Sequence, residues 1–398
     1  MGKLALFGGK KVKDTPFGTG KRFGEEELKE LKEALEQNTL FYWSGNKVKK
    51  LTTEFAEMYG AKYCVATSSG TAAIHVGLAT VGVTAGDEVI TSPITDMGSV
   101  IGILYQNAIP IFADLDPYTY NLDPKSVESK ITEKTKAILV VHLAGNPADM
   151  DPIMEIARKY NVKVVEDCAQ SYMCYYKGRL TGTIGDVGCF SLNDFKHISA
   201  GDGGMCILND KGLYEKTLRL ADKNYNRLSK DPAAELQGAV ALAQLKKLEW
   251  ICERRNIIGE KITEGIKDLK GVHPPKIMEG SKSSYWFYMF RIDEKKAGIT
   301  RDDFSKALEA EGIPNQAGYI PNCIYEYDLF ANKSVYLGSD CPFGCKMYGK
   351  DITYGKGLCP IAEGILETAI RISINEFYTD KDVNEIIEAI RKVSDYYC

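Results

Sequence analysis

The sequence has 398 residues, of which 44% are hydrophobic and 26% charged, with a formal net charge of −4 from 50 basic and 54 acidic side chains. This length favours two domains or one large α/β unit, and the near balance of charge argues against a nucleic-acid partner, for which a clearly basic surface is expected. No run of about 18 apolar residues could span a membrane, and the N-terminal apolar stretch is too short for a signal peptide, so a cytoplasmic location and no membrane partner are expected.

The first 20 residues are basic and rich in glycine, and they predict an extended arm. Gly18-Thr19-Gly20-Lys21 resembles part of a phosphate-binding loop, but Thr15 and Arg22 stand where that motif needs Gly and Ser or Thr. Apolar residues at helical spacing then predict amphipathic surface helices at 25–37 and 48–59.

A short strand, a polar turn and a helix are predicted between Tyr63 and Leu78. The turn, Ser69-Gly70-Thr71, would place hydroxyls beside the free amides of a helix start, where a phosphate can bind. A helix cap without any ligand is the alternative, and it is the commoner meaning of this pattern taken alone.

Short apolar strands alternate with helices from residue 88 to residue 165. This alternation predicts a mostly parallel sheet with helices on both faces. Ligands bind such sheets at the carboxyl ends of the strands. The expected strands are 88–91, 109–113, 137–141 and 162–165, and the expected helices are 97–105, 126–130 and 151–160.

The segment Glu166-Asp167-Cys168-Ala169-Gln170 follows one of these strands. Acids in such a place are most often ordinary loop or helix-start residues. A carboxylate paired with a pyridine nitrogen would instead keep that nitrogen protonated, so that the ring can accept electrons. Gln170 would lie within reach of a hydroxyl on the same ring.

Lys196 lies between two β-prone runs, 187–190 and 205–208, beside a turn that contains Gly201, Gly203 and Gly204. Most lysines are solvated charges, but a lysine held between strands is unlike a surface lysine on a helix. Together with Asp167 and the polar turn, Lys196 indicates a Schiff base with the aldehyde of pyridoxal 5′-phosphate.

The C-terminal part predicts a smaller α+β domain. A strong helical pattern at 238–255 is followed by a strand at 285–292, a helix at 301–311, a strand at 371–374 and a final helix at 382–393, with a long loop at 332–357. We place the boundary after residue 255, which gives an arm and large domain at 1–255 and a small domain at 256–398.

The 11 cysteines are scattered, several of them within apolar runs. Because their number is odd and nothing indicates secretion, we expect reduced thiols. Cys341 and Cys345 are four residues apart without a second Cys or His pair nearby, and the four histidines lie in separate regions, so no metal site is expected.

The chain resembles the sugar aminotransferases of the DegT/StrS family, within the fold-type I enzymes that use pyridoxal 5′-phosphate and share the fold of aspartate aminotransferase. The resemblance covers nearly the whole length, and the order and spacing of its motifs carry it. Those motifs are Ser69-Gly70-Thr71-Ala72-Ala73, Gly86-Asp87-Glu88-Val89-Ile90, Glu166-Asp167-Cys168-Ala169-Gln170, Gly185-Asp186, Phe190-Ser191, Lys196 with Gly201-Asp202-Gly203-Gly204, and Cys359-Pro360.

The resemblance implies a role for each matching residue. Lys196 would hold the cofactor aldehyde and move a proton between substrate and cofactor, while Asp167 would pair with the ring nitrogen. The remaining cofactor contacts would be Gln170 at the ring hydroxyl, Ala169 beneath one ring face, and Ser69, Gly70, Thr71 and Ser191 at the phosphate. A homodimer with active sites at the subunit interface is expected.

The chain departs from the family pattern in two places. Asp96 and Met97 stand where the family has an aromatic residue that stacks on the cofactor ring. The segment 222–235 is shorter than usual, and Asn226 is our candidate for the contact with the phosphate of the other subunit. For the substrate we expect contacts from Tyr319 and Asn322.

The expected activity is transfer of an amino group, in two half-reactions, from glutamate or glutamine to a keto-sugar, with or without a nucleotide, or to a keto-cyclitol. A sugar dehydratase is one alternative, but the related dehydratases carry His where this chain has Lys196, and His197 is merely adjacent. A non-catalytic regulator that binds the same cofactor is the other alternative, although no DNA-binding helix-turn-helix is visible.

Overall fold

The computed structural model describes residues 3–221 and 234–397. Its strands are β1 (Tyr63–Thr67), β2 (Glu88–Thr91), β3 (Ile109–Phe112), β4 (Thr135–Val141), β5 (Lys163–Asp167), β6 (Tyr175–Tyr176), β7 (Arg179–Leu180), β8 (Val187–Ser191), β9 (Gly204–Leu208), β10 (Val272–His273), β11 (Phe287–Ile292), β12 (Gln316–Ala317) and β13 (Ala369–Ser373). Its α-helices are α1 (Glu25–Glu36), α2 (Lys47–Tyr59), α3 (Gly70–Thr80), α4 (Met97–Tyr105), α5 (Pro124–Ser129), α6 (Met150–Tyr160), α7 (Lys211–Ala221), α8 (Glu235–Leu245), α9 (Leu248–Ile266), α10 (Glu294–Ala297), α11 (Arg301–Ala310), α12 (Asp328–Ala331), α13 (Pro360–Thr368) and α14 (Asp380–Tyr397). None of the helices in these ranges is both long enough and apolar enough to cross a membrane.

A seven-stranded sheet of order β1-β9-β8-β5-β4-β2-β3 forms the larger half of the fold. Strand β9 pairs antiparallel with both of its neighbours, and the other strand pairs are parallel. Successive residues of β4 point to opposite faces, so Ile138 and Val140 join one apolar cluster while Ala137 and Leu139 join another. Helices therefore cover both faces, and the predicted, mostly parallel α/β sheet is confirmed.

A second sheet, of order β10-β11-β13-β12, is antiparallel throughout. Its apolar face packs on α9, α11 and α14 through a cluster that includes Phe290, Phe304 and Ile386. The helical pattern expected at 238–255 is in fact two helices, α8 and α9, and residue 255 lies inside α9. The division into domains at that residue stays a prediction.

The loop at 332–357 contains none of the helices or strands given above, as predicted. Within it, Cys341 and Cys345 form a disulfide, so the prediction that all cysteines are reduced is wrong for this pair. The loop turns back on itself and brings the two Cα atoms to 5.1 Å, which is inside the range that a disulfide requires. Eight other cysteines in the described ranges carry free thiols.

The N-terminal arm is fastened to the last helix by a buried ion pair. The Lys13 ammonium lies 2.6 Å from Asp382 Oδ1 and 2.7 Å from Glu385 Oε2. Burial alone would raise the pKa of Asp382, but hydrogen bonds from Lys13, Thr379 and the Gly18 amide hold that pKa well below its usual range. The arm is thus part of the folded structure around α14.

We expect Lys13→Met to lower the free energy of unfolding by about 3 kcal/mol, because removal of one partner leaves buried carboxylates without their counter-charge. The folded pKa of Asp382 lies below its unfolded value of about 3.9. The stabilisation is therefore complete above that unfolded value, declines as the pH falls below it, and is lost only as the pH falls through the lower, folded pKa. Urea unfolding at pH 7 and at a series of pH values from about 4 down to about 2 should show a difference between wild type and variant that is full at pH 7 and shrinks steadily as the pH falls. Lys11→Met, at an exposed site on the same arm, is the control; an equal loss in both variants would contradict this assignment.

Candidate active site

A cavity of about 320 Å³ lies at the carboxyl ends of β1, β2, β5 and β8. These strands end at the same edge of the sheet, as expected for a ligand site in an α/β fold. The cavity brings together most of the residues that the sequence predicted for cofactor binding. Those that line it are Ser69, Gly70, Thr71, Asp96, Asp167, Ala169, Gln170, Ser191 and Lys196.

The turn between β1 and α3 forms one wall. The Ser69 hydroxyl caps α3 by accepting a hydrogen bond of 3.0 Å from the Ala72 amide. The amides of Gly70 and Thr71 have no hydrogen-bond acceptor within the described ranges, and they open the helix at its positive end. A Cβ atom at Gly70 would lie 2.5 Å from the Ser191 Cβ, so only glycine allows this turn to approach the end of β8. The wall is suited to an anion.

Asp167 lies at the end of β5 with only 4% of its surface exposed. Its Oδ2 accepts a hydrogen bond of 2.6 Å from the Ser99 hydroxyl, and its Oδ1 accepts one of 3.0 Å from the Ala169 amide. Burial raises the pKa of Asp167 above its ordinary value, while these two donors and the charge of Lys196 act in the opposite direction. The carboxyl group is thus placed to hold or share a proton with a ligand.

Lys196 lines the cavity on the β8 side, and 8% of its surface is exposed. Burial lowers the pKa of its ammonium, against the opposing charges of Asp167 and Asp96. Its Nζ lies 4.0 Å from the ring centroid of Trp286, whose indole N–H donates to the Phe195 carbonyl at 2.7 Å. A depressed pKa increases the neutral fraction of the amine, which is the nucleophilic form.

Gln170 connects the cavity to the second sheet. Its Oε1 accepts from the Ala144 amide at 2.8 Å, and its Nε2 donates to the Tyr319 hydroxyl at 3.1 Å. Tyr319 is therefore buried behind Gln170, and its ring lies 5.9 Å from the guanidinium carbon of Arg371. This row of contacts leads from the cavity lining to β13.

Besides Tyr319, three predicted residues are not among the lining residues that the structure describes. Met97 is half-buried and packs against an apolar cluster, whereas its neighbour Asp96 lines the cavity. Asn322 is exposed and is not part of the cavity lining. Asn226 lies outside the described residues.

Several lining residues had not been anticipated. Ser99 falls in the first turn of α4, next to the segment that had been singled out at Asp96, so its position was a usable signal. Asn193 and Asp202 flank Lys196 in the chain. Trp286 is not among these lining residues but contacts the Lys196 ammonium. It comes from a distant part of the chain, and nothing in its local sequence distinguishes it from a core aromatic residue.

A second polar cluster lies beneath the sheet edge, where His142, Glu166 and Cys168 are close enough to share a metal ion. The Glu166 oxygens already accept hydrogen bonds from the amides of residues 182, 184 and 185, and Glu166 Oε2 lies 3.0 Å from His142 Nε2. The Ala148 amide donates to His142 Nδ1 at 3.0 Å, so Nε2 carries the proton and donates to Glu166. These bonds explain why the pKa of Glu166 is lowered despite its burial. The cluster thus anchors the turn at 182–185 beneath β5.

Comparison with known proteins adds to this geometry. Residues 21–352 match the DegT/DnrJ/EryC1/StrS aminotransferase family. The chain is 32% identical to the L-glutamine:2-deoxy-scyllo-inosose aminotransferase of Micromonospora echinospora, over 87% of this chain and 85% of that protein. It is also 32% identical to the GDP-perosamine synthase of Escherichia coli O157:H7, over 85% of this chain and 92% of that protein. Among solved structures, the aminotransferase from Psychrobacter cryohalolentis superposes with a TM-score of 0.82 at 27% identity, covering 96% of this chain and 99% of that one.

Proposed function

Because the chain belongs to the DegT/DnrJ/EryC1/StrS aminotransferase family, we propose that it uses pyridoxal 5′-phosphate to transfer an amino group from glutamate or glutamine to a keto-sugar or keto-cyclitol. The observation that carries this proposal is the convergence of a buried amine, a buried acid and free helix amides in one cavity. The two relatives named above act, by their names, on a keto-cyclitol and in the synthesis of a nucleotide-linked amino sugar. Both acceptor classes are therefore retained.

The residues present fit the cofactor in charge and in chemistry. Lys196 would hold its aldehyde, Asp167 its ring nitrogen, and the amides of Gly70 and Thr71 with the Ser191 hydroxyl its phosphate. When bound, the cofactor would supply an electron-accepting ring that lets a proton leave the carbon next to the substrate amine. Gln170 keeps one amide hydrogen beyond its bond to Tyr319, which leaves a donor for the ring hydroxyl.

The protein's own groups have separate tasks in this reaction. Lys196 would act as the nucleophile in its neutral form and, with the substrate amine bound, as the base that moves the proton. Burial favours that neutral form. Asp167 holds the opposite charge at the other end of the site, and the helix amides fix the anion. One amine, that of Lys196, would thus carry out the acid–base chemistry, and the remaining residues would orient the reacting groups.

Elimination of a hydroxyl, the dehydratase alternative, is disfavoured by the positions of Lys196 and His197. His197 is fully buried, and its Nε2 lies 3.0 Å from the Ser284 carbonyl, not in the cavity lining.

A homodimer remains part of the proposal. Phe195, directly before Lys196, is 77% exposed and would be covered if the partner subunit of that homodimer packs beside the cavity.

The amino donor carries a carboxylate, and Arg371 is the cation that we predict to bind it. The Arg371 guanidinium stacks on Phe287 and Tyr319 at 5.2 and 5.9 Å, and burial lowers its pKa. No carboxylate of the described residues forms an ion pair with it.

We expect Arg371→Met to raise the KM for glutamate or glutamine about 100-fold, as for loss of a charged hydrogen-bonded pair, with the KM for the acceptor unchanged. Arg219→Met, on the exposed face of α7, is the control; equal changes in both KM values would contradict donor binding at Arg371.

The proposed activity is tested with purified protein, pyridoxal 5′-phosphate, glutamate or glutamine, and one acceptor from each class. We expect an aminated acceptor, together with the 2-oxo acid of the donor, from at least one acceptor class, as detected by mass spectrometry. Ammonia and a deoxy-sugar would indicate the dehydratase instead. A cofactor-loaded protein that aminates neither a keto-sugar, with or without a nucleotide, nor a keto-cyclitol would overturn the proposal.

A further inference from the structure

Two buried hydroxyls stand in line behind Asp167. Thr95 Oγ1 and Ser99 Oγ are 2.7 Å apart, and Ser99 Oγ is 2.6 Å from Asp167 Oδ2. Thr95 and Ser99 are 1% and 2% exposed. Ser99 lies in the first turn of α4 and Thr95 lies just before that helix, whose start is capped by the Asp96 side chain through its bond to the Gly98 amide. The two hydroxyls are therefore attached to a capped helix start and largely closed to water.

The direction of each hydrogen bond follows from the carboxylate. An ionised carboxylate only accepts, so the Ser99 proton points to Asp167 Oδ2. The single Ser99 proton is then committed, and the Thr95 proton must be the one that points to Ser99. If Asp167 were protonated, it would compete to donate, and the row would lose this order.

Asp167 and the ring nitrogen of a bound cofactor compete for one proton. Burial raises the pKa of Asp167 and thus favours transfer of that proton to the carboxylate. A hydroxyl that donates to the carboxylate stabilises its charged form and opposes the transfer. The Ala169 amide gives a similar bond to Oδ1, but Ser99 is the nearer donor and the only side chain that donates to Asp167 within the described ranges.

We propose that Ser99 is a positioning residue that keeps Asp167 ionised and thereby keeps the proton on the cofactor's ring nitrogen. This inference rests on the proposed function, because it concerns the same cofactor. Thr95 supports it by orienting the Ser99 hydroxyl. The contribution acts through Asp167 and requires no contact between Ser99 and the substrate.

The test uses the holoenzyme loaded with pyridoxal 5′-phosphate that is labelled with ¹⁵N in the ring. In wild type we expect the nitrogen chemical shift of a protonated pyridine. In Ser99→Ala the shift should move toward that of an unprotonated ring, and the dissociation constant of the cofactor should rise about ten-fold or more. Ser99→Thr, which restores the hydroxyl, should return both values toward wild type, and Thr95→Val should change them in the same direction as Ser99→Ala but by less.

Ser92→Ala is the matched control, because Ser92 is a buried serine of the same segment and its hydroxyl bonds, among the residues that the structure describes, only to residue 94. The inference is overturned if Ser99→Ala gives the same nitrogen shift and the same dissociation constant as Ser92→Ala. Should Ser99→Ala fail to fold by circular dichroism, an unchanged nitrogen shift in Thr95→Val would overturn it instead. A wild-type protein that does not bind the cofactor through Lys196 would contradict the proposed function itself, which is a different result.

Discussion

Lys196→Ala is expected to abolish both the visible absorbance of the bound cofactor and its reduction by borohydride. It should also lower transamination by at least about 10⁴-fold, since one amine serves as nucleophile and as base. The physical reason is that Lys196 is the one lysine of the described residues that lines the cavity, and burial lowers its pKa, which increases its neutral fraction. Absorbance spectra and single-turnover rates of the purified variant measure both effects.

The control for this substitution is Lys216→Ala, which removes an exposed lysine from α7. Its spectrum and turnover should equal those of wild type. Retention of a borohydride-reducible yellow adduct in Lys196→Ala would show that another amine holds the cofactor. The pH dependence gives a second check, because activity that needs the neutral amine falls as the pH drops below the lowered pKa of Lys196.

Asp167→Asn is expected to have the second largest effect, with kcat reduced about 10²–10³-fold, the cost typical of losing a preorganised electrostatic contact at a reacting group. Asparagine keeps the size of the side chain, and its oxygen can still accept the Ser99 or the Ala169 bond. It carries no charge, so the ring nitrogen would lose the partner that holds its proton. Pre-steady-state rates of the half-reaction with the amino donor would measure the loss.

Asp123→Asn is the matched change elsewhere, because Asp123 caps α5 and asparagine caps a helix about equally well. We expect it to leave turnover unchanged. If Asp167→Asn retained more than about a third of the wild-type rate, the loss would be far smaller than the loss expected for such a contact. That result would show that the ring nitrogen does not depend on this carboxylate. The cofactor would then be oriented differently from our proposal.

The alternation of strands and helices made the large sheet predictable, because its buried strands are continuous apolar runs that local sequence reveals. The turn at Ser69, the acid at Asp167 and the amine at Lys196 were predicted to meet since all three follow parallel strands, and ligands gather at those ends. The cavity lining contains all three. Their roles toward a cofactor stay predictions.

Contacts between distant parts of the chain were not predictable from local pattern. Trp286, the residue just before β11 of the second sheet, reaches Lys196, and Tyr319 reaches Gln170 across 149 residues. The disulfide between Cys341 and Cys345 depends on the path of a loop without periodicity. In each case the tertiary packing, and not the neighbouring sequence, decides which side chains meet.

The most direct measurement is reduction of the cofactor-loaded protein with borohydride, followed by peptide mapping with mass spectrometry. The account predicts one pyridoxyl group per chain, on the peptide that contains Lys196. A pyridoxyl group on any other lysine, with Lys196 unmodified, would contradict it.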